Sequence, residues 1–394
     1  MSPVVFLFWT AAALLGYTYV GYPALLWLWA TFRTRASRAR PIEPEVSVLV
    51  VAYNEAERIG ARIENLLALD YPRARMEIVV ASDGSTDATV ERARRYRAAG
   101  VGMRAFSARR GKSAVLNQLV PHARGEIVVL ADARQRFEPQ ALRRLLAHFA
   151  DPQVGVVSGE LVLENGAHGP AAGEGIGFYW TYEKFIRRRE SRIDSTIGAT
   201  GAIYAIRRDL YEPIPEDTLV EDVLIPLRIA RRGYRVLFEP GARAYDRAAT
   251  AEREFARKVR TLAGNFQLFE RERWLLNPFA NRLWLQTISH KGARLLSPLG
   301  LGVLFGANVF LATQPLYRWT LGLQLAFYVA AVGGHLLRNT AVKIFPLSVP
   351  YAFCLMNWAT VIGFFRFASG RQRVTWETRG SATTSRAAPR LRER

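Results

Sequence analysis

Four carboxylates follow apolar runs in this sequence and are its residues best suited to chemistry. Asp83 lies in SDGSTD and Asp132 in ADAR, each at the end of a β-branched apolar run, while Glu221 and Asp222 form an adjacent pair in LVED. A carboxylate can accept hydrogen bonds from hydroxyls, ligate a hard cation, or remove a proton from an attacking hydroxyl. Each acid alone also has a structural interpretation, as a turn residue or as a helix N-terminal charge.

A basic residue stands two positions after Asp132. Arg134 occupies the place in ADAR where a second strand-end acid would complete a pair. Further cations occur in RRGKSAVLN, where Lys112 follows Arg109 and Arg110. Such cations either bind an anionic ligand beside the carboxylates or point to solvent.

The elements that must position these residues alternate along the chain. Apolar runs ending in polar corners predict strands, and stretches with helical spacing or a capping residue predict helices between them. Alternating strands and helices favour an α/β fold with a mostly parallel sheet, whose ligands gather at the carboxyl ends of the strands. The predicted strands are 45–55, 76–87, 126–132 and 154–164, and the predicted helices include 57–69, 138–149 and 221–232.

Long apolar segments flank this polar block. A run of about 20 apolar residues can cross the ~30 Å hydrocarbon core of a bilayer. The candidates are 3–32, 295–317, 319–337 and 344–365. The arginine-rich stretch RTRASRAR (33–40) follows the first of them, and the positive-inside rule therefore predicts that the polar block is cytoplasmic.

The net charge of +20 would fit nucleic acid, but the basic clusters lie beside the membrane segments, where anionic lipid explains them better. We therefore expect membrane lipid and no nucleic acid as a partner. The single Cys354 lies in an apolar run and supports neither disulfides nor a metal cluster.

The ordered motifs resemble those of family 2 glycosyltransferases. They are VSVLVVAYNEAERI, LDYP, EIVVASDGSTDAT, RRGKSAVLNQLV, VVLADARQRFEPQAL, GATGAIYAIRRDLY and LVEDVLIPLRIARRGYRVLFEP, in the family's order and spacing. The resemblance runs from about residue 45 to 270 and extends to membrane-bound members such as cellulose, hyaluronan and poly-N-acetylglucosamine synthases. It implies a GT-A fold.

The resemblance gives a division of the chain. The parts are an N-terminal anchor (1–32), a basic linker (33–44), a cytosolic GT-A domain (45–270), an amphipathic interface helix with Trp274, Phe279 and Trp284 (271–294), C-terminal membrane segments forming two or three spans (295–368) and a basic tail (369–394). Three C-terminal spans would leave the basic tail outside, against the positive-inside rule.

The resemblance also implies roles at the donor side of the site. Residues matching nucleotide-sugar contacts are Tyr53, Glu55, Asp83, Lys112, Asp132, Arg134 and Arg260. Asp132 matches the first acid of the family's D-x-D element, which binds Mg²⁺ or Mn²⁺ with the donor diphosphate. Because Arg134 replaces the second acid, we expect a variant metal site in which Asp132 is the protein ligand and Arg134 pairs with a phosphate or faces solvent.

Glu221 and Asp222 match the acidic pair that supplies the catalytic base, with Asp222 as the base. Gly198, Thr200 and Gly201 in GATGAIYAIRR match an acceptor-binding stretch, which is equally a strand with a glycine-rich entry. The family's Q-x-x-R-W motif aligns with RKVRT (257–261), where Arg260 keeps the arginine, while arginine and threonine replace Gln and Trp.

The resulting expectation is a membrane-anchored, inverting hexosyl- or N-acetylhexosaminyl-transferase of the bacterial plasma membrane. Its donor would be a nucleotide sugar, with UDP as the expected nucleotide. Its acceptor would be lipid-linked or a polysaccharide of the cell surface. Two alternatives stay open: a processive polysaccharide synthase that also exports its product, with export or polymerisation partners, and a non-catalytic nucleotide-binding scaffold.

Overall fold

The computed structural model describes residues 2–164, 172–247, 250–339 and 344–375. Eight strands in this part of the chain form one sheet, in the order β3-β2-β1-β4-β7-β6-β8-β5. They are β1 (Val46–Ala52), β2 (Met76–Asp83), β3 (Val101–Phe106), β4 (Ile127–Asp132), β5 (Arg136–Phe137), β6 (Val154–Glu164), β7 (Ile203–Arg207) and β8 (Arg235–Arg247).

Helices cover the sheet and continue into the apolar segments. Those of the polar block are α3 (Ala56–Leu67), α4 (Thr89–Arg94), α5 (Lys112–Leu119), α6 (Ala141–Ala147), α7 (Ala172–Ile193), α8 (Glu221–Arg231) and α9 (Ala251–Arg271). Those of the apolar segments are α1 (Pro3–Gly16), α2 (Tyr22–Phe32), α10 (Trp284–Gln286), α11 (Ala293–Phe310), α12 (Pro315–Leu336) and α13 (Phe345–Ala368). Five-residue and six-residue π-helical turns, Tyr17–Gly21 and Thr287–Gly292, join α1 to α2 and α10 to α11.

The predicted mostly parallel α/β sheet is confirmed. Strand β1 lies between β2 and β4 and is parallel to both, with Ala52 opposite Ser82 and Val51 opposite Asp132. The three strands therefore end at one edge of the sheet, and most of their valines and isoleucines are buried, on both faces, as expected for parallel strands covered by helices. Strand β7 is antiparallel to both β4 and β6, so the predicted fourth strand does not neighbour the third.

Some predicted boundaries were wrong. The helix expected over 138–149 begins only at Ala141, and its last residues form a 3₁₀ turn, His148–Ala150. The helix expected over 271–294 forms only from Trp284 onward, because Arg273–Leu276 is a 3₁₀ turn and the residues between it and α10 are not helical. Trp274 in this segment packs against the buried core of the domain.

Three apolar helical segments in the described residues are long enough to cross a membrane: Pro3–Phe32, Trp284–Phe310 and Phe345–Ala368. The first is formed by α1, the π-helical turn and α2. The predicted segment 319–337 belongs to α12 and is not among these three. The predicted segment 295–317 contains a helix break, because α11 ends at Phe310 and α12 begins at Pro315.

Helix α13 packs against the polar block. Its Phe364 and Phe367 rings lie 5.3 and 6.0 Å from the ring of Phe266 in α9. A Cβ on Gly363 would lie only 3.0 Å from Leu262 Cβ, so glycine permits the close approach of the two helices. The residues after α13 then reach the domain itself, where Val374 O accepts a hydrogen bond from Arg260. The predicted basic tail 369–394 lies, beyond Thr375, outside the described residues.

Candidate active site

A cavity of about 1700 Å³ opens at the carboxyl ends of β1, β2 and β4. We call it the central cavity. The side chains predicted from the four strand-end and helix-start motifs meet there, although they are far apart in sequence. Those lining it are Tyr53, Glu55, Asp83, Lys112, Asp132, Arg134, Thr200, Gly201, Glu221, Asp222 and Arg260. Of the predicted site residues, Gly198 alone is absent from the described lining.

Lys112 joins two of the predicted acids. Its ammonium lies 2.8 Å from Asp132 Oδ1 and 2.9 Å from Glu221 Oε1. Burial alone would lower the pKa of Lys112, but the two carboxylates outweigh it and raise that pKa above its usual value. Burial would likewise raise the pKa of Asp132, yet Lys112 and then Arg134 hold that pKa below its usual value. Lys112 and Asp132 are therefore both ionised at neutral pH.

The pKa of Asp222 is shifted in the opposite direction from that of Asp132. Burial, followed by repulsion from Glu221, raises the pKa of Asp222 to about 6 against the attraction of Lys112 and Lys291. Its Oδ2 accepts a hydrogen bond from Gly201 N–H at 3.1 Å, and its backbone carbonyl accepts one from Ala199 N–H at 2.7 Å. A carboxylate with a pKa near the working pH suits a general base.

The stretch predicted to bind the acceptor lies against the Asp222 carboxylate. Gly198 adopts φ +87°, a left-handed conformation that favours glycine, and turns the chain toward Asp222. A Cβ on Gly201 would lie 3.0 Å from Asp222 Oδ2, so a side chain there would press on the carboxylate. Thr200 accepts a hydrogen bond from the guanidinium of Arg187 at 2.7 Å.

Tyr53 and Arg109 form an aromatic shelf in the wall of the central cavity. The guanidinium carbon of Arg109 lies 3.6 Å from the ring centre of Tyr53, which gives a flat surface of the kind that stacks on a nucleobase. The carboxylate of Asp83 accepts hydrogen bonds from the N–H groups of Arg110 (2.7 Å) and Gly111 (2.9 Å) and so positions the loop that carries Arg109. Glycine at 84 is required, since a Cβ there would lie 2.5 Å from Arg109 N.

Two arginines complete the polar wall. Arg134 lines the cavity, and its guanidinium makes no hydrogen bond or ion pair with any residue that the structure describes. It lowers the pKa values of both Asp132 and Glu55, although burial raises the net pKa of Glu55. Arg260 donates to Leu219 O at 3.0 Å and to Val374 O at 2.8 Å, so it holds the backbone before the acidic pair.

Comparisons with known proteins agree with this geometry. A family model described as glycosyl transferase family 2 matches residues 47–214. Residues 47–214 therefore form a glycosyl transferase family 2 domain. Among solved structures, the mannosyltransferase PcManGT from Pyrobaculum calidifontis, in complex with GDP-Man and Mn²⁺, has a TM-score of 0.71 at 23% identity and covers 93% of this chain and 99% of that one. The likeness shows the GT-A type of fold.

Curated relatives match over shorter stretches. A beta-monoglucosyldiacylglycerol synthase of Synechocystis sp. is 34% identical over 128 residues, which are 32% of this chain and 27% of that protein. A poly-beta-1,6-N-acetyl-D-glucosamine synthase of Staphylococcus aureus is 26% identical over 200 residues, which are 50% of this chain and 48% of that protein. In both cases the chain spans less than half the length of its relative.

Asp132, within the matched family 2 residues, is the side chain on which the fit of a divalent metal depends. Within the residues that the structure describes, no group of three or more His, Cys, Asp or Glu side chains is arranged to hold a metal. Asp132 binds Lys112 through Oδ1, and no described residue bonds to Oδ2. Mg²⁺ and Mn²⁺ are commonly held by one or two carboxylates together with substrate phosphates. Asp132 fits that role as a single protein ligand.

Several charged residues of the central cavity were not predicted. Lys258 and Lys291 line it beyond Asp222, next to a buried network in which His290 bridges Glu183 and Glu190 at 2.7 and 2.9 Å. The signal was present in ISHKGAR (288–294), since ionisable residues inside an apolar segment usually mark a functional or paired site.

Proposed function

We propose that the protein is an inverting glycosyltransferase that moves a sugar from a nucleotide sugar to an acceptor hydroxyl at a membrane. The expected donor is a UDP-sugar carrying a hexosyl or N-acetylhexosaminyl group. The expected acceptor is lipid-linked or a growing glycan of the cell surface. The names of the curated relatives, which include a glucolipid synthase and a polysaccharide synthase, are consistent with either acceptor.

The observation that carries the proposal is that one cavity contains two carboxylates whose pKa values are shifted in opposite directions. Asp132 is held ionised by Lys112, whereas Asp222 has a pKa raised to about 6 by burial and by Glu221. Carboxylates with environments that push their pKa values apart are suited to separate roles. Asp132 suits an electrostatic role at the donor, and Asp222 suits proton removal.

In the proposed reaction the acceptor oxygen attacks the anomeric carbon of the donor sugar. Asp222 takes the proton from the acceptor hydroxyl as the new carbon–oxygen bond forms. The bond from the anomeric carbon to the diphosphate breaks on the opposite face, and the nucleoside diphosphate leaves with the electron pair. The configuration at the anomeric carbon is therefore inverted.

Residues on the donor side would bind and orient the leaving group. The Tyr53–Arg109 shelf would stack on the base, and Arg134, with its guanidinium facing the cavity, would pair with a phosphate. A divalent ion held by Asp132 would, when bound, neutralise charge on the departing diphosphate. Lys112 keeps Asp132 ionised for either partner.

We place the domain on the cytoplasmic face of the plasma membrane. Nucleotide sugars are charged, soluble donors, so the central cavity must open to the compartment that holds them. The arginine-rich residues 33–40 directly follow the apolar segment Pro3–Phe32, as the positive-inside rule requires for this orientation.

A processive synthase is the second candidate function. It is disfavoured by Thr261, which stands where a stacking Trp is expected and donates a hydrogen bond to the carbonyl of Arg257 in its own helix. A non-catalytic scaffold is disfavoured by the intact acidic pair and by the raised pKa of Asp222, which a structural helix terminus does not need.

Incubation of the purified full-length protein with radiolabelled nucleotide sugars and membrane lipid extract, with and without Mn²⁺, tests the proposal. We expect label in lipid or polymer with one donor, and no label with Asp222→Asn. Sugar-nucleotide binding without transfer or hydrolysis under every condition would favour the scaffold instead.

A further inference from the structure

The central cavity is larger than one ligand needs. Small-molecule sites usually occupy ~300–1000 Å³, whereas this cavity measures about 1700 Å³. The Tyr53–Arg109 shelf and Asp132 form the part of the cavity where the proposed donor binds. The rest of the cavity, which we call the acceptor chamber, is thus left for the second substrate.

Part of the acceptor chamber is apolar and belongs to the membrane segments. All three segments that are long enough to cross a bilayer contribute side chains to the cavity. A ligand with a hydrocarbon chain can therefore lie partly in this chamber and partly among the membrane helices. The apolar contributors are Tyr19, Leu295, Val349, Phe353 and Met356.

The polar part of the acceptor chamber carries cations. Lys291 lies in the π-helical turn Thr287–Gly292, and its ammonium makes no hydrogen bond or ion pair with any residue in the described ranges. A lysine in an apolar segment is costly unless it meets a counter-charge. Glu183 and Asp222 lie within electrostatic reach of Lys291, but Glu183 is already paired with His290 and Arg294, so the ammonium can still receive an anionic ligand.

A second lysine stands in the same chamber. The ammonium of Lys258 lies 4.8 Å from the ring centre of Tyr179 and 4.5 Å from that of Trp180. Glu254 approaches it only at 3.8 Å. The indole N–H of Trp180 finds no acceptor within the described part of the chain. Two ammonium groups and a spare N–H donor suit a phosphate.

The general base restricts where the phosphate can be. Lys291 acts electrostatically on Asp222, so an anion at Lys291 lies near the base. A phosphate oxygen is already ionised near neutral pH and would need no base in order to attack. A base with a raised pKa is useful to a hydroxyl. The acceptor's phosphate and its attacking hydroxyl are therefore different groups.

We propose that the acceptor is a membrane lipid whose phosphate lies between its hydrocarbon chain and a hydroxylated headgroup. The phosphate binds Lys291 and Lys258, the chain follows the apolar wall toward the bilayer, and the hydroxyl reaches Asp222. This inference rests on the proposed glycosyl transfer and specifies its acceptor class.

The test uses the full-length protein in a polyoxyethylene detergent, with the radiolabelled donor that it accepts. Three acceptor preparations are compared: the neutral lipids of a membrane extract, the anionic lipids of that extract retained on an anion exchanger, and the water-soluble headgroups released from the anionic lipids by deacylation. The last preparation separates a lipid from a free phosphate ester. Donor hydrolysis without acceptor is measured in parallel.

We expect label in the anionic lipids and little in the other two preparations. Lys291→Gln should raise KM for the anionic lipids about tenfold or more, because one charge-assisted contact is lost. Lys291→Arg keeps the charge and should have a KM close to that of the wild type. Lys184→Gln is the matched control, since Lys184 pairs with Glu160 and does not line the cavity.

Label in neutral lipids or in free headgroups alone would overturn the inference, as would an unchanged KM in Lys291→Gln. Those results leave glycosyl transfer itself standing. An absence of both transfer and donor hydrolysis with every preparation would instead remove the proposed function, and this inference with it.

Discussion

Lys112 donates a hydrogen bond to Asp132 Oδ1 at 2.8 Å, and the same ammonium reaches Glu221 at 2.9 Å. The lysine begins α5, the first acid ends β4, and the second begins α8. One cation therefore ties together the donor side of the site and the acidic pair. Any donor phosphate or metal that binds Asp132 changes the charge that Lys112 shares with Glu221, and so changes the field at Asp222.

The rate of transfer should depend on pH through Asp222. The base acts only when deprotonated, and its pKa is raised to about 6 by burial and by Glu221. We expect kcat/KM to be constant above that pH and to fall about tenfold per pH unit well below it. A pH profile measured with saturating metal checks this. A rate that stays constant down to pH 4.5 would exclude Asp222 as the base.

Removing Lys112 should move that profile. Lys112 lowers the pKa of Asp222, so Lys112→Met should raise that pKa further and shift the acidic limb to higher pH. It should also reduce kcat/KM at the plateau by about tenfold or more, because Asp132 and Glu221 lose a charged partner. Lys184→Met serves as the control and should keep the wild-type profile. A shift of the limb to lower pH would contradict the arrangement.

Asp222→Asn should reduce transfer by about 10²–10⁴-fold, the usual contribution of a general base. Donor affinity should change little, because the amide oxygen can still accept from Gly201 N–H and the backbone bond from Ala199 is unaffected. Single-turnover transfer and equilibrium binding of the nucleotide, measured on the same preparation, separate the two effects. A large loss of nucleotide affinity would place Asp222 at the donor instead.

Much of the site could be anticipated from sequence because its residues stand at the ends of regular elements. Asp83 and Asp132 end parallel strands, so they lie at the same edge of the sheet whatever the side-chain packing. The pairing of β1 with both β2 and β4 sets how far along the sheet each of these strands ends. Local apolar patterns are sufficient for that inference. The family motifs then supplied the acidic pair, which lies far along the chain.

The partners of these residues could not be anticipated. Nothing in RRGKSAVLN indicates that Lys112 binds two carboxylates. Nor does it indicate that backbone N–H groups of this loop donate hydrogen bonds to Asp83, since both contacts depend on the loop geometry. Lys291 and the helix break near Leu311 escaped for another reason. The membrane segments were predicted from runs without charge, so the run 295–317 begins after Lys291, and such a run does not reveal a single turn.

The position of α13 predicts that both flanks of the membrane segments lie on one side. Arg40 N–H donates to Ala147 O and Arg260 donates to Val374 O, so the chain after α2 and the chain after α13 touch the same domain. In a Cys354→Ser background, Ser37→Cys and Ser369→Cys should react with an impermeant thiol reagent from the same side. Thr313→Cys, in the turn between α11 and α12, should react from the other side.

Labelling of Ser369→Cys from the same side as Thr313→Cys would contradict this arrangement, because it would require an odd number of membrane crossings between α9 and Ser369. That outcome would mean that α13 leaves α9 in the membrane, against the ring contacts of Phe266 with Phe364 and Phe367. Agreement of all three sites with the expected pattern would account for the arginines near the end of α13 without breaking the positive-inside rule.

Arg134→Asp tests how the charge at the donor side is divided between protein and metal. The substitution adds a carboxylate two residues after Asp132 and removes a guanidinium that faces the cavity. The lost charge-assisted contact to phosphate, typically ~1.5–3 kcal/mol, should weaken nucleotide binding about tenfold or more without metal. Added Mg²⁺ or Mn²⁺ should restore much of the lost nucleotide affinity, so we expect a steeper metal dependence and little gain in rate.

Titration of nucleotide affinity against metal concentration measures the loss of affinity and its recovery by metal. Arg136→Asp is the control, because Arg136 pairs with Glu164 outside the cavity. If Arg134→Asp changed neither affinity nor metal dependence, Arg134 would not contact the donor, and another cation of the cavity would have to hold the diphosphate.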